Sequence, residues 1–217
     1  MASALSTAPI DLSTLRKLWK PRRDSYADAL LYEDNRIRIH RAFTWLEHAA
    51  SCTDEQLDDR LLAQWAGIAA LCARWDSRAK APIAERAALA AFVKQVMAHD
   101  QDGLVPTALQ RERTLVQSMF SDRYLARFFP QGVDLADLYQ RRRWERVLSL
   151  LLERAALVHA QLAGGGATYG SKENRTVLKR TCMLLDVLAM AFVQIVTHHG
   201  YADDWGGLCW PPARKDR

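Results

Sequence analysis

The sequence predicts an all-α fold, and three observations carry that prediction. Almost every periodic stretch repeats its apolar residues with the spacing of a helix, and no stretch alternates apolar and polar residues as a half-buried strand does. Hydrophobic residues make up 49% of the 217 residues, which is enough for one domain with its own core. The 10 glycines and 7 prolines are too few for a disordered or low-complexity chain. We therefore expect one globular helical domain.

The chain opens with a predicted extension, residues 1–34, that contains one short helix. Residues 11–20 have helical periodicity, and Asp11 or Ser13 supplies a side-chain oxygen that can cap the first turn. We expect Pro21 to end this helix, because proline lacks the N–H group that the helical hydrogen-bond ladder needs.

An antiparallel pair of helices is predicted next. Residues 35–50 place their apolar side chains on one stripe, as an amphipathic helix does. Thr53 and Gln56 have the spacing of a capping box, in which each residue's side chain bonds the other's backbone N–H. This box is expected to open a second amphipathic helix over residues 54–76, which packs against the first.

The middle of the chain contains two more predicted helices and an aromatic segment. Pro82 stands near a first-turn position, which suits proline, in a helix that is expected to run to about Met97. Residues 107–120 form the next predicted helix. The aromatic segment SDRYLARFFPQG, residues 121–132, follows it and ends in turn residues.

The two longest predicted helices come last and are joined by a glycine loop. The first covers residues 135–162, and the second runs from a cap at Ser171 to Val196. The loop between them, residues 164–170, reads GGGATYG. A phosphate-binding P-loop is excluded here, since that motif follows a strand and ends in Lys-Ser or Lys-Thr. We expect a helix–helix connection in which glycine adopts left-handed backbone conformations.

Charge and cysteine usage narrow the class of protein. The 30 Lys and Arg exceed the 25 Asp and Glu by five, and the basic residues cluster at 20–23, 141–146, 172–180 and 213–217. Such clusters either neutralise nucleic-acid phosphates or form solvated helix faces and tails. No C-x-x-C pair is present, so we expect reduced thiols with no zinc site and no disulfide framework at the four cysteines, Cys52, Cys72, Cys182 and Cys209.

We expect a cytoplasmic protein without a membrane segment, a cofactor or a metal. No apolar run reaches the roughly 18 to 20 residues that a bilayer-spanning helix needs, and the first residues lack a basic leader followed by an apolar block. His198 and His199 precede Asp203 and Asp204, which could suggest metal ligands. Adjacent histidines point about 100° apart on a helix, however, and cations near a helix C-terminus are already favoured by the helix dipole.

Several segments together resemble bacterial HEPN-domain proteins of the RNase-toxin and defence type. The segment LLERAALVHAQLAGGGATYGSKENR and the later DDWGGLCWPP are similar to the C-terminal half of that family. LAQWAGIAALCARWD, AHDQDGLV and SDRYLARFF are similar to its earlier segments. The resemblance covers about residues 35–212, which we take as the HEPN-like domain, and leaves residues 213–217 as a basic tail.

The resemblance implies a helical bundle that forms a homodimer and acts in bacterial defence or as part of a toxin–antitoxin pair. In that family each protomer places an Arg-x4-His motif at a shared cleft, where RNA is cut without a metal. An imidazole can move the proton of a ribose 2′-hydroxyl near neutral pH, and a guanidinium can hold the phosphate. RNA and an antitoxin or defence-system protein are therefore the implied partners.

The sequence departs from the family at the catalytic positions. In the gapless register, the family's arginine falls on His159 and its histidine falls on Gly164. The family's asparagine and tyrosine of an earlier helix fall on Ala69 and Cys72. This register predicts a catalytically degenerate or inactivated protein that binds RNA or a partner protein. We expect RNA to contact the residues that open the last helix, namely Lys172, Asn174, Arg175 and Lys179.

A second interpretation keeps the chemistry. Arg154 and His159 themselves have the Arg-x4-His spacing, five residues before the family's position. Five residues turn a helix by about 140° and advance it by about 7.5 Å, so this pair faces a different side from the family's cleft. If the pair works, the protein is an active metal-independent endoribonuclease with Arg154 and His159 as its catalytic residues.

Overall fold

A computed structural model describes residues 10–25, 32–129 and 132–210. Helices dominate these ranges, which confirms the predicted all-α class. The elements are α1 (Leu12–Ser25), α2 (Glu33–Ser51), α3 (Leu57–Cys72), β1 (Trp75–Asp76), β2 (Ala81–Pro82), α4 (Glu85–His99), α5 (Leu104–Arg111), α6 (Arg113–Phe120), a 3-10 turn (Leu125–Arg127), α7 (Leu135–Gln140), α8 (Trp144–Ala163) and α9 (Arg175–His198). The predicted basic tail, residues 213–217, lies outside the described residues.

Helix α1 continues through Pro21, so the predicted stop at this residue is wrong. The predicted cap at Asp11 is confirmed, because its Oδ1 accepts the backbone N–H of Thr14 at 2.8 Å. Tertiary contacts hold the helix on both sides of the proline. Trp19 packs edge-on against Tyr201, with ring centroids 4.5 Å apart, and the Arg22 guanidinium donates to two backbone carbonyls at the end of α9.

Helices α2 and α3 form the predicted antiparallel pair, which is the most extensive helix contact in the described structure. Arg38 of α2 reaches the end of α3 at Leu71, whereas Leu46 lies against Gly67 earlier in α3. A Cβ atom at Gly67 would lie 2.7 Å from Leu46 Cγ, so glycine allows the close approach of the two helices. One hydrogen bond of the predicted capping box is present, from the Thr53 N–H to Gln56 Oε1 at 3.0 Å.

Strands β1 and β2 replace predicted helix at two places. Helix α3 ends at Cys72 instead of residue 76, because the backbone of Trp75 turns to donate to the Gly207 carbonyl at 3.0 Å. Trp75 also pairs with Pro82 across the small antiparallel ladder. Pro82 therefore lies in a strand and not in a first helical turn, and α4 begins at Glu85.

Two long predicted helices are each divided. The predicted helix 107–120 consists of α5 and α6, which are separated at Glu112, and α5 begins early at Leu104 because Asp100 accepts that residue's N–H at 2.7 Å. The predicted helix 135–162 consists of α7 and α8. Arg142 separates them with a left-handed backbone (φ 52°), a conformation that few non-glycine residues adopt.

Helix α9 is the core of the domain and contacts most of the other helices. It begins at Arg175 after Asn174, which has a left-handed backbone (φ 56°), so the predicted start at Ser171 is wrong. Among the described helices α9 alone has the length and apolarity of a membrane span, but 67% of its most apolar window is buried inside the protein. That burial is the pattern of a core helix.

The segment that follows α9, residues 200–210, folds back onto α2. Trp205 is 1% exposed, and its indole N–H donates to the Gly200 carbonyl at 2.6 Å. Trp210 remains 67% exposed and packs against Trp75, with ring centroids 5.5 Å apart. The segment thus covers the end of α3 and the start of β1.

Arg38 ties this segment to the bundle from inside. Its side chain is fully buried and donates to the carbonyls of Leu71 and Ala73 at 3.0 Å and of Gly206 at 2.9 Å. Burial lowers the pKa of the Arg38 guanidinium to about 10, because a charged group loses its hydration there. The end of α3 and the C-terminal segment are therefore joined through one buried cation.

Candidate functional site

Arg154 lies on α8 in an aromatic sandwich. Its guanidinium carbon is 4.1 Å from the ring centroid of Phe120 and 4.5 Å from that of Phe129. The residue is only 4% exposed, and its Nη1 donates to the Leu150 carbonyl at 3.0 Å. Burial lowers the pKa of the guanidinium. No carboxylate in the described part of the chain forms an ion pair with it.

His159 lies on another side of α8. Its imidazole stacks on the Trp65 indole of α3, with ring centroids 5.2 Å apart and planes 21° from parallel. The Trp65 N–H donates to Glu85 Oε1 at 2.9 Å. Burial lowers the pKa of His159, and the nearby Glu85 carboxylate opposes this effect only in part. Burial therefore favours the neutral form of the imidazole.

The structure does not assemble Arg154 and His159 into a pair. Arg154 contacts Phe120 of α6 and Phe129, which lies shortly after the 3-10 turn. His159 instead contacts Trp65 of α3. Gly164, where the resemblance to HEPN proteins would place a histidine, follows the last residue of α8 and has no side chain. Burial raises the pKa of the Cys72 thiol, where the same resemblance would place a tyrosine, to about 12. None of these positions supplies a second proton-transfer group beside His159.

Arg175, one of the predicted RNA contacts, anchors the loop between α8 and α9 to the start of α3. Its Nη1 is 2.6 Å from Asp58 Oδ2, and its Nη2 donates to the Glu55 carbonyl at 2.8 Å. Asp58 is 5% exposed and also accepts the Gly170 N–H at 3.1 Å. Its carboxylate thus holds both the loop and the first residue of α9.

The other three predicted RNA contacts lie beside the same acidic surface. Lys179 Nζ is 3.8 Å from a carboxylate oxygen of Asp54, and Asn174 precedes α9. Lys172 is exposed. Residues 54–59 contain four acidic side chains, and these reduce the positive potential that the sequence alone suggests for residues 172–180.

A second basic stretch, residues 123–146, has fewer acidic neighbours than residues 172–180. Residues 123–146 contain six arginines and three acidic residues. Arg141 forms an ion pair with Asp137 at 2.6 Å, whereas Arg142, Arg143 and Arg146 are exposed and have no ion-pair partner among the residues that the structure describes. We call these last three residues the arginine cluster. The sequence shows the run, but only the structure shows which of its charges are unpaired.

A groove of about 680 Å³ lies between α4 and α8, and we call it the α4–α8 groove. Arg154 and Arg146 line it, together with Phe128, which is 51% exposed. Its apolar lining includes Leu89, Val93, Phe129, Leu150, Ala156 and Leu157. His159 does not line the groove, so only one of the two predicted catalytic residues contacts it.

The cysteines and the other residue types that can bind a metal are considered together. All four cysteines are free, and Cys72, Cys182 and Cys209 are buried. Across residues 10–25, 32–129 and 132–210, no three His, Cys, Asp or Glu side chains converge in a metal-binding arrangement.

Comparison with protein-family models, with curated proteins and with solved structures finds no match to this chain.

Proposed function

We propose that the chain is a HEPN-like protein that binds RNA through the arginine cluster and does not cleave it. The observation that carries the proposal is the exposure of Arg142, Arg143 and Arg146 without ion-pair partners among the described residues. Arg146 also lines the same groove as the exposed ring of Phe128. Arginine binds phosphate through its planar fork, and an exposed aromatic ring offers a surface on which a base can stack. The resemblance adds a homodimer and a role in bacterial defence or toxin–antitoxin biology to the same proposal.

The position of the cluster supports binding over a structural role. Arg142 and Arg143 directly precede α8, and Arg146 lies in its first turn. This is the positive end of the helix dipole, where a cation is unfavourable by about 0.3 to 1 kcal/mol. The charges therefore do not stabilise α8, whereas a bound phosphate would be attracted by both the arginines and the helix N-terminus.

The lysines that open α9 are a weaker choice for the same role. Arg175 already forms an ion pair with Asp58, and Lys179 lies near Asp54. A phosphate at this surface would approach four acidic side chains in residues 54–59. Like-charge repulsion there reduces the gain from releasing counterions.

The separation of the two predicted catalytic groups supports a protein that does not cleave RNA. Cleavage by a ribose 2′-hydroxyl needs a base at that hydroxyl and a cation at the adjacent phosphate. Arg154 is enclosed by two phenylalanine rings, and His159 stacks on Trp65 on another side of α8. These two side chains do not meet at one nucleotide.

A pair of matched double variants tests the RNA site. Arg142→Gln/Arg143→Gln and Lys172→Gln/Lys179→Gln each remove two positive charges from exposed positions. Fluorescence anisotropy measures the affinity of a labelled 20-nucleotide single-stranded RNA for each protein in EDTA, over a salt series. Loss of two phosphate contacts is expected to weaken binding about tenfold at 0.15 M salt and to reduce the salt slope by about 1.4. The lysine variant is expected to retain most of the affinity.

Three results contradict the proposal. If the parent protein does not bind RNA, the function is wrong. If the lysine variant loses as much affinity as the arginine variant, the site is wrong. If the parent protein cuts the RNA in EDTA and His159→Ala does not, the chain is an active nuclease, as the second interpretation of the sequence predicts.

A further inference from the structure

Arg154 is a buried cation with an incomplete set of partners. Only Nη1 makes a hydrogen bond, and Nε is buried without any partner. Arg154 has no ion pair among the described residues, although it is 96% covered by protein. A buried charge is normally compensated by an anion, because the loss of hydration is strongly unfavourable. The two phenylalanine rings compensate only part of this loss, since a cation–π contact is weaker than the hydration that the charge gives up.

The unbonded side of this guanidinium has the geometry for a carboxylate. Nε and Nη2 form one edge of the planar group, and two parallel N–H bonds from such an edge match the two oxygens of a carboxylate. Nε is covered by protein atoms, so a carboxylate reaches Nη2 first and needs a small shift of neighbouring side chains to reach Nε. Arg154 therefore offers Nη2 to an acidic group directly and Nε only after that shift.

The α4–α8 groove supplies the space next to Arg154. Its volume of about 680 Å³ lies within the usual range of small-molecule sites, roughly 300 to 1,000 Å³. Most of its lining is apolar, and both Leu157 and Ala156 of α8 contribute to it. An apolar ligand body gains free energy here by displacing water from these side chains.

The charged side chains of the groove favour an anion. Glu85 already accepts the Trp65 N–H, and Glu153 lies 3.6 Å from Arg86. Arg146 and Arg154 have no ion-pair partners in the described structure. The three arginines of the lining exceed its two glutamates, Glu85 and Glu153, by one positive charge, and two of those arginines have no ion-pair partner among the described residues.

We propose that the α4–α8 groove binds a small amphipathic carboxylate, with its acidic group on Arg154 and its apolar chain along α4 and α8. The groove shares Arg146 and Phe128 with the proposed RNA surface. The carboxylate proposal does not rest on RNA binding, however, since its anchor, Arg154, is not in the arginine cluster. Octanoate is the probe of this chemistry. Acetate has the head group without the chain, 1-octanol has the chain without the charge, and octyl phosphate has a different anionic head group.

Isothermal titration calorimetry on the full chain tests the site. We expect octanoate to bind about ten- to hundredfold more tightly than either acetate or 1-octanol, because the charge-assisted bonds and the apolar contacts each contribute. Arg154→Met is expected to abolish the preference for octanoate over 1-octanol. Arg113→Met is the matched control, because Arg113 also lies over an aromatic ring, that of Tyr139 at 5.1 Å, but is outside the groove.

A second variant tests the groove while Arg154 remains. Ala156→Phe places a ring among the lining side chains and is expected to abolish binding of both octanoate and 1-octanol, while the circular dichroism spectrum stays that of the parent. Equal binding of octanoate and 1-octanol by the parent would overturn the proposal, as would unchanged octanoate binding in either Arg154→Met or Ala156→Phe. Tighter binding of octyl phosphate than of octanoate would overturn the choice of a carboxylate.

Discussion

Replacing Arg38 by methionine tests whether one buried cation holds the C-terminal segment on the bundle. Methionine replaces the apolar stem of the arginine but ends short of the guanidinium, so it removes the three hydrogen bonds to Leu71, Ala73 and Gly206. The three carbonyl oxygens then lose their donor. They surround a side chain that has no exposure to solvent. The expected result is a large loss of stability with the helices otherwise intact.

The magnitude follows from those bonds. An unsatisfied buried carbonyl costs about 1 to 3 kcal/mol. This cost applies in full to the buried carbonyl of Leu71 and in part to the part-buried carbonyls of Ala73 and Gly206, so the three together suggest about 3 to 6 kcal/mol. Part of this cost is recovered, because the charged guanidinium no longer has to be buried, and the lowered pKa of about 10 shows that its burial is unfavourable. We therefore expect a net loss of about 3 kcal/mol, which corresponds to a fall in Tm of about 6 to 12 °C for a chain of this size.

Urea unfolding followed by circular dichroism measures this loss, and Arg41→Met is its control. Arg41 lies on the same helix and donates to the carbonyls of Cys209 and Trp210, each at 2.9 Å, but it is only partly buried. Water can replace its bonds, so we expect a cost below about 1 kcal/mol. The reasoning is refuted if Arg38→Met unfolds within about 1 kcal/mol of the parent, or if the two variants lose the same stability.

Four further predictions concern the catalytic position, the response to acid, one glycine and the assembly. His159→Ala should leave RNA affinity unchanged and reveal no metal-independent cleavage to lose, whereas an active pair would lose cleavage about 10² to 10⁴-fold. Burial lowers the pKa of His159 below its ordinary 6.5, so the unfolded chain takes up this proton first as the pH falls. The free energy of unfolding should therefore decrease as the pH drops below 6.5, and it should decrease less in His159→Gln. Parallel urea titrations at about pH 7.5 and about pH 5.5 measure the difference. Gly200→Ala should cost about 2 kcal/mol in the same unfolding assay, because its Cβ would lie 2.5 Å from Trp205 Cζ2, and an unchanged stability would contradict that clash. Light scattering should give a mass above the 24.6 kDa of one chain, and a constant 24.6 kDa at every concentration would remove the proposed homodimer.

The helical class and the α2–α3 pair could be predicted because they depend on local periodicity. Breaks in the helices were harder to predict, since their causes are tertiary. Pro21 is a strong stop signal, but contacts of Trp19 and Arg22 with distant residues keep α1 helical beyond it. Conversely, no glycine or proline marks the break at Arg142, whose left-handed backbone separates α7 from α8. An arginine run gives no signal for such a conformation.

The candidate site depends on partners that a sequence does not order in space. The spacing of Arg154 and His159 is visible in the chain, but the rings that enclose one and the indole that stacks on the other come from α6, the aromatic segment and α3. Charge shows the same limit. Residues 172–180 and 141–146 look equally basic in the sequence, and only the fold places Asp58 against Arg175.

The contact between Arg38 and Gly206 joins residues 168 positions apart, and this separation has a consequence for biosynthesis. At about 5 to 20 residues per second, a ribosome needs roughly 8 to 35 s to translate the intervening chain. During that time the nascent α2–α3 hairpin lacks the Gly206 carbonyl, one of the three acceptors of the Arg38 guanidinium. It also lacks the indole of Trp205, which later packs on the bundle. Native packing of the first helices therefore has to wait until residues 200–210 have emerged, and premature termination within that segment would leave an incompletely folded product for cellular proteases.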